Sequence, residues 1–337
     1  MGKIELGIAP IGWTNDDLPD LGGNNTFEQC VSEIALAGFA GTEIGSKFPR
    51  DIAILRRALD IRGLRICNAW FGARFTTKPA DVVIAEFIAH RDFLYAIGAK
   101  VIGAAEVGDS VQGLPAPVFD AKPVYTDDKW QAVINGFNRM ADLAADRGMR
   151  LACHHHMGTG VQTVGEIDRF MDGVNENVWL LYDTGHIAYS LAQSRYADSG
   201  GNSSGDSSSD SSADSGGDTS GDSSSDSSAD FSEMLEPCLS LLRKYAGRIA
   251  HVHLKDVRPQ VIKRVRDEKL SFLDGVRLGA FTVPGDGALD FSPVFRVLKE
   301  TGYEGWAVVE AEQDPEKANP LEYALLARKY ICDIAGI

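Results

Sequence analysis

The chain has 337 residues, of which 44% are hydrophobic, so it can bury a large core as one barrel or as two domains. Its formal net charge is −15, but eight aspartates fall in residues 198–230 without any lysine or arginine, which leaves −7 elsewhere and argues against binding to nucleic acid. No apolar run approaches the length of a membrane helix, and the first ten residues lack a secretory apolar region, so we expect a cytoplasmic protein.

Short runs rich in valine, isoleucine and leucine recur along the chain. Runs of this length and composition predict strands that are buried on both faces, as in a parallel sheet. The predicted strands are residues 4–9, 41–45, 64–70, 100–105, 150–155, 178–183, 249–255 and 306–310.

Helical patterns lie between these strands, and several end in a glycine suited to a helix C-terminus. Eight strands alternating with eight helices predict an α/β fold, a (β/α)8 TIM barrel, formed as a single domain over residues 1–337. An open doubly wound sheet is disfavoured because no Gly-x-Gly-x-x-Gly follows the first strand. The predicted helices are residues 26–37, 52–60, 82–97, 127–147, 164–172, 233–245, 293–300 and 320–332.

Residues 198–230 form a low-complexity segment in which the decapeptide GDSSSDSSAD occurs twice. Almost none of its side chains can be buried, so it cannot offset the entropy cost of folding. We predict a disordered insert between the sixth strand and the sixth helix. A calcium-binding repeat is the alternative, but the glycines lack the regular spacing of such repeats.

Six of the seven histidines lie in residues 153–156, 183–186 and 251–256, each at the end of a predicted strand. Catalytic groups of TIM barrels lie at the carboxyl ends of the strands, and each predicted strand ends near a residue able to act there. These residues are Trp13, Asn15, Glu43, Trp70, Glu106, His154, His155, His156, Asp183, His186, His251, His253, Lys255, Glu310 and Glu312.

Strand alternation predicts which of these side chains face inward. It places His154 and His156 on one face of their strand and His155 on the other. One inward set, His154, Asp183, His253 and Glu310, supplies two imidazoles and two carboxylates. This set suits manganese, cobalt, iron or zinc better than calcium or magnesium.

Each of these residues also has a structural interpretation when it is considered alone. A single histidine at a strand end is more often a satisfied polar residue than a ligand, and the structural alternative for Glu312 is a rim charge. The joint occurrence on four adjacent strands favours a metal site. His156 remains the alternative to His154 as the ligand from the fifth strand.

Five segments of the chain resemble the bacterial inosose dehydratases, which belong to the xylose-isomerase-like TIM barrels. The resemblance covers nearly the whole chain outside residues 198–230. The segments are GIAPIGWTNDD at 7–17, HHHMGTGVQT at 154–163, YDTGH at 182–186, HVHLKDVRP at 251–259 and VEAEQDP at 309–315.

The resemblance implies a hydro-lyase of myo-inositol catabolism that dehydrates 2-keto-myo-inositol to a trihydroxycyclohexane-1,2-dione. It also implies dependence on Mn²⁺ or Co²⁺, with glutathione as a cofactor. Asp183, His253 and Glu310 match the metal ligands of the superfamily, and His186 falls where substrate is contacted. The fifth strand departs from the pattern, because related epimerases carry a glutamate where this chain has His154 or His156.

Dehydration next to a ketone requires a base for the α C–H and an acid for the departing hydroxyl. Glu310 or Glu106 could be the base, and His186, His156 or Lys255 the acid. Other residues are expected to bind the cyclitol substrate. The tryptophans would offer flat apolar surface and the amides would bind hydroxyls, and these residues are Trp13, Trp70, Asn15 and Gln162.

Three alternatives differ in function. A ketose or cyclitol epimerase or isomerase could use the same barrel and metal. A DNA phosphodiesterase is disfavoured by the acidic surface, and a sugar-binding module would not need so many ionisable strand ends. We expect a small-molecule substrate as the partner, and neither a nucleic acid nor a membrane. The sequence is compatible with a homo-oligomer.

Overall fold

The fold is described from a computed structural model, which covers the backbone of residues 3–197 and 226–337 and the side chains of residues 3–192 and 235–337. The strands of the described residues are short and mostly buried. They are β1 Ile4–Ile8, β2 Gly41–Glu43, β3 Arg65–Asn68, β4 Trp70–Ala73, β5 Val101–Glu106, β6 Arg150–His154, β7 Val178–Asp183, β8 Ile249–Leu254, β9 Asp256–Val257, β10 Phe281–Thr282 and β11 Gly305–Val309.

Nine of these strands form one parallel sheet in the order β3-β2-β1-β11-β8-β7-β6-β5-β4. β3 and β4 are separated only by Ala69, and β3 pairs with β2 while β4 pairs with β5. They are therefore two halves of one interrupted strand that closes the sheet into an eight-stranded barrel. The predicted TIM barrel is confirmed, with all eight predicted strands in place to within a few residues.

Helices surround the barrel and follow the strands in turn. Most begin at a residue whose side chain accepts a hydrogen bond from the third helical amide, as Thr163 does from Glu166 in α6. The helices are α1 Phe27–Leu36, α2 Ile52–Asp60, α3 Ala80–Ile97, α4 Val118–Ala121, α5 Asp127–Ala145, α6 Val164–Gly173, α7 Thr184–Ala197, α8 Asp226–Tyr245, α9 Pro259–Asp267, α10 Phe272–Arg277, α11 Ser292–Glu300 and α12 Pro320–Ala335.

The eight predicted helices are present, and α4, α7, α9 and α10 were not predicted. α7 was missed because its consecutive residues Ile187, Ala188 and Tyr189 are all buried, so the sequence lacks the helical alternation of apolar and polar residues. The other three are short helices beside the strand ends.

The predicted insert lies between β7 and β8, as expected, but α7 separates it from the end of β7. Residues 198–225 lie outside the described residues. α8 begins at Asp226, seven residues before the predicted start at residue 233, so the last five residues of the predicted insert belong to a helix.

The core consists of apolar side chains between the strands and helices and a smaller group inside the barrel. The inner group contains Val101, Ala152, Leu181 and Ala250. Ala152 and Leu181 have the same strand parity as His154 and Asp183, so this layer lies below the polar strand ends and supports them. No described helix has the combination of length and apolarity needed to cross a membrane.

Candidate active site

Four polar side chains from neighbouring strands meet at the carboxyl end of the barrel. His154 ends β6, Asp183 ends β7, His253 lies near the end of β8 and Glu310 directly follows β11. All four residues are buried, and one nitrogen or oxygen atom of each lies within 4.8 Å of the others. We call this set the four-residue cluster. It is the set that strand alternation placed on the inward face.

The contacts inside the four-residue cluster resemble those of ligands directed at a common point. His154 Nε2 and His253 Nδ1 each lie 3.3 Å from Asp183 Oδ2, and His253 Nδ1 lies 2.7 Å from Glu310 Oε2. Glu310 Oε2 also lies 3.1 Å from Lys255 Nζ, so it contacts two basic side chains. The convergence of two imidazoles and two carboxylates gives a donor set that suits a divalent transition-metal cation.

The charges around the cluster keep its carboxylates ionised. Burial would raise the pKa of Glu310, but His253 and Lys255 lower it to about 2. Burial opposes ionisation of Asp183 as well, and the charge of Lys255 holds the pKa of that carboxyl well below its usual range. Burial lowers the pKa of His154, which favours the neutral imidazole that binds a cation.

Glu43, at the end of β2, reaches across the barrel interior to β8. Its Oε1 atom lies 2.8 Å from His251 Nε2 and 3.0 Å from His253 Nε2, and it accepts a hydrogen bond of 3.1 Å from Asn68 Nδ2. A register shift in the β2–β3 ladder at Glu43 accompanies this placement. Glu43 was predicted only as one of the polar strand ends, and its pairing with the two histidines was not predicted.

Lys255 follows β8 and is fully buried among acidic groups. Its Nζ atom lies 3.1 Å from Glu310 Oε2, 3.3 Å from Glu312 Oε1 and 3.1 Å from His186 Nε2. Burial lowers the pKa of Lys255, but Glu310, Glu312 and Asp183 outweigh this and raise it above its usual value. The ammonium group therefore persists at neutral pH and links the cluster to the groups around it.

Glu312 is buried, so the alternative interpretation as a rim charge is wrong. Its side chain is buried and contacts Lys255, and burial raises the pKa of its carboxyl to about 7. Glu310 and Glu312 have the same parity, which predicts a shared face, but parity does not reveal how deeply that face is buried.

Three predicted residues form an aromatic group beside the four-residue cluster. The rings of His156 and His186 lie 3.8 Å apart, and burial lowers the pKa of both histidines. Trp70 presents its ring edge to His154 at 5.3 Å and to His156 at 5.4 Å, and it is 38% exposed. The structure thus brings Trp70, His156 and His186 together next to the cluster.

Glu106, a predicted base, is not brought to the cluster. Its carboxylate accepts hydrogen bonds from the backbone amides of Phe75 and Gly108, at 2.8 and 2.9 Å, and from the hydroxyl of Thr76 at 3.1 Å. These donors belong to the loops that follow β4 and β5. Glu106 therefore orders loop backbone, and its contacts give no support for a role as base.

The substrate contacts predicted for Trp13, Asn15 and Gln162 are not supported by their contacts either. Trp13 is 1% exposed and donates its indole N–H to Glu33 at 2.6 Å. Asn15 Oδ1 accepts the amides of residues 17 and 18, and Gln162 Oε1 accepts the amide of Gly158 at 2.7 Å. These polar groups shape the loops around the barrel opening. His155, which strand alternation places on the face opposite to His154, accepts a hydrogen bond of 3.2 Å from the backbone amide of Asp183.

Comparison with known proteins places this barrel in a family. Residues 31–331 match the family described as xylose isomerase-like TIM barrel. The proteins named inosose dehydratase from Klebsiella pneumoniae and Glaesserella parasuis are 52% and 50% identical to the chain, and each alignment covers 99% of both sequences. The chain belongs to the inosose dehydratases of the xylose isomerase-like TIM barrel family.

Solved structures agree with this family at the level of the fold. A crystal structure of an IolI protein with a bound zinc atom superposes with a TM-score of 0.63, covering 99% of this chain and 98% of that one. The sequence identity is 16%, so the similarity shows the shared barrel alone.

Proposed function

We propose that this chain is a hydro-lyase that removes water from 2-keto-myo-inositol to give a trihydroxycyclohexane-1,2-dione, a step of myo-inositol catabolism. The observation that carries this proposal is the convergence of His154, Asp183, His253 and Glu310 in a chain about half identical to inosose dehydratases over its full length. The substrate is a ketone with a hydroxyl on its β-carbon. Acids, bases and cation ligands of this kind promote the loss of that hydroxyl as water.

The four-residue cluster is the proposed position of a divalent cation. Two imidazoles and two carboxylates fit Mn²⁺ or Co²⁺, and the convergence of their ligand atoms within 4.8 Å supports a shared cation. When bound, such an ion stabilises the negative charge that develops on a ketone oxygen as the neighbouring C–H is deprotonated. The family resemblance extends the proposal to glutathione as a cofactor and to the cytoplasm as location.

Glu310 is the proposed base. Of the two carboxylates predicted for this role, Glu310 lies in the cluster, whereas Glu106 is held by loop amides. The pKa of Glu310 is lowered to about 2, so its carboxylate is ionised and able to accept the proton from the carbon next to the ketone.

Lys255 is the proposed acid, and His186 is its hydrogen-bond partner. The acidic groups around Lys255 raise its pKa, so its ammonium carries the proton for the departing hydroxyl, whereas burial lowers the pKa of His186, whose Nε2 accepts a hydrogen bond from Lys255 Nζ at 3.1 Å. The hydroxyl then leaves as water, and the proton removed from carbon stays on Glu310. Trp70 offers its exposed ring as a surface for the C–H face of the cyclitol, with His156 as a hydroxyl partner beside it.

Chelation and an Asp183→Asn substitution test this function. After chelation, turnover of 2-keto-myo-inositol should be lost and should return on addition of Mn²⁺ or Co²⁺. Asp183→Asn should lower kcat by about 100-fold or more, because it removes a charged ligand shared by both histidine contacts. Product is measured as the α-diketone.

Asp60→Asn serves as the matched control, because Asp60 is an exposed residue at the end of α2 and should leave kcat unchanged. Metal-independent turnover, or full activity of Asp183→Asn, would contradict the proposed site. Recovery of an isomeric inosose without diketone would instead identify an epimerase or isomerase.

A further inference from the structure

Glu43 lies below the four-residue cluster and makes a second group of ligand-type contacts with His251 and His253. The three residues are buried, so any proton or cation that they share is held away from solvent. A second cation site and a hydrogen-bonding centre are the two interpretations of this group. They differ in whether the nitrogens that face Glu43 carry protons.

The contacts of Glu43 Oε1 favour a hydrogen-bonding centre. This oxygen already accepts a hydrogen bond from Asn68 Nδ2 at 3.1 Å, and both imidazole Nε2 atoms lie within hydrogen-bond distance of it. The N···O distances of 2.8 and 3.0 Å are those of hydrogen bonds, and the Asn68 amide N–H already occupies one lone pair of this oxygen. The Asn68 side chain is itself fixed, since its Oδ1 accepts the backbone amide of Gly103 at 2.6 Å.

Donation from Nε2 to Glu43 determines which nitrogen of His253 can bind a cation. Only an imidazole that has lost one proton can bind a cation, so a proton held on Nε2 by Glu43 leaves the lone pair on Nδ1. Nδ1 lies 2.7 Å from Glu310 Oε2 and 3.3 Å from Asp183 Oδ2, so it faces both carboxylates of the four-residue cluster. It therefore points into the four-residue cluster.

We propose that Glu43 is a positioning residue that holds the Nε2 proton of His253 and thereby makes Nδ1 the atom that binds the cation. The inference rests on the proposed function, because it requires a cation in the four-residue cluster. A carboxylate behind a ligating histidine fixes its ring and increases the basicity of the ligating nitrogen. The register shift at Glu43 in β2 would then serve to direct this carboxylate at β8.

His251 provides an internal comparison. It contacts the same Glu43 oxygen at 2.8 Å, but it is not part of the four-residue cluster, and its Nδ1 has no hydrogen bond. If Glu43 had only a structural role, its contacts with His251 and His253 would affect cation binding to the same extent. The proposed role predicts that only the Glu43–His253 contact affects cation binding.

The test measures Zn²⁺ and Mn²⁺ affinity of the full chain and its Glu43→Gln and His251→Gln variants. Glu43→Gln should weaken binding of either ion by about 10- to 100-fold, because the ligating imidazole loses its charged partner. His251→Gln should change the dissociation constant by less than about threefold, because Glu43 and His253 keep their contact. An unchanged affinity of Glu43→Gln would overturn the inference.

A second measurement keeps the inference testable if Glu43→Gln does not fold. Nitrogen NMR of the zinc-loaded wild-type protein should show His253 with a protonated Nε2 and a metal-bound Nδ1. Zinc on Nε2, with the proton on Nδ1, would overturn the role of Glu43 while leaving the proposed function intact. Failure of the wild-type protein to bind either ion would overturn the four-residue cluster as a cation site, and the inference with it.

Discussion

Lys255 brings a positive charge into direct contact with the four-residue cluster. Its side chain is fully buried, its Nζ atom lies 3.1 Å from Glu310 Oε2, and the ring of Phe281 lies 4.6 Å from the same atom. A buried cation is tolerated only when opposite charges surround it, as Glu310, Glu312 and Asp183 do here. Its charge opposes a bound cation but favours a substrate that becomes negative.

Lys255→Met should therefore separate activity from cation binding. We expect kcat for 2-keto-myo-inositol to fall by about 100-fold or more, because the proposed acid and its contact with His186 are lost. Mn²⁺ affinity should stay equal or increase, because a repelling charge 3.1 Å from Glu310 is removed. Steady-state kinetics and a Mn²⁺ titration check the two effects.

Lys263→Met is the matched control. Lys263 lies on α9, is exposed, and pairs with Asp267 one turn away, so the same chemical change there should leave both quantities unchanged. A parallel loss of activity and Mn²⁺ affinity in Lys255→Met would indicate that Lys255 supports the cluster structurally.

At the scale of elements, the interruption between β3 and β4 is fixed from outside the barrel. His90 on α3 lies with its Nε2 3.3 Å from the carbonyl oxygen of Ala69, and its ring packs 5.4 Å from that of Phe71. The residues on either side of Ala69 serve the site, because Asn68 contacts Glu43 and Trp70 contacts His154. α3 thus supports the strand that carries both groups.

His90 should make the stability of the fold sensitive to acid. Burial lowers its pKa from 6.5 to about 4, so in this range the unfolded chain binds a proton that the folded chain does not. The contribution of His90 to the free energy of unfolding is fully present above pH 6.5. It is lost as the pH falls towards 4, and it amounts to as much as about 3 kcal/mol. His90→Gln keeps a donor for Ala69 and removes this titration.

Urea denaturation of both proteins at pH 7 and pH 4.5 measures this effect as the difference in their free energies of unfolding. We expect similar values at pH 7 and a larger loss for the wild type at pH 4.5. Other titrating groups are common to both proteins and cancel in the comparison. Equal losses in the two proteins would show that protonation of His90 is not coupled to unfolding.

At the scale of the whole molecule, the site and the serine-aspartate segment belong to different parts of the chain. The site residues lie on or directly after the strands β2, β4, β6, β7, β8 and β11, whereas residues 198–225 connect α7 and α8. The segment carries six aspartates and no basic residue, so it contributes to the charge of the molecule out of proportion to its length.

Replacement of residues 198–225 by a short glycine-serine linker should leave kcat and KM within about twofold of their original values, because the segment offers almost no apolar surface for packing. The shortened protein would carry a net charge of −9 instead of −15 and should elute earlier from an anion exchanger. A variant with the six aspartates changed to asparagine separates charge from length. A large rise in KM in the linker variant alone would show that the segment takes part in substrate binding.

The sequence by itself determined the barrel and the composition of the four-residue cluster. Buried strands have characteristic runs of apolar residues, and their alternation assigns His154, Asp183, His253 and Glu310 to the inward face. Parallel strands of a barrel end at the same rim, so residues at the ends of consecutive strands were expected to meet. The positions of the strands and the faces of their residues follow from local periodicity, which can be read from the sequence.

Only the tertiary structure decided what each side chain contacts beyond its own strand. Glu43 and His251 are 208 residues apart and meet across the barrel interior, and Glu106 turns to loop amides although it also ends a strand. Parity specifies the face of a strand, but the closure of the barrel and the course of its loops determine the partners and depth of burial on that face. For that reason the sequence could not decide whether Glu312 is a buried group or a rim charge, and the contacts of Glu43 were not predicted.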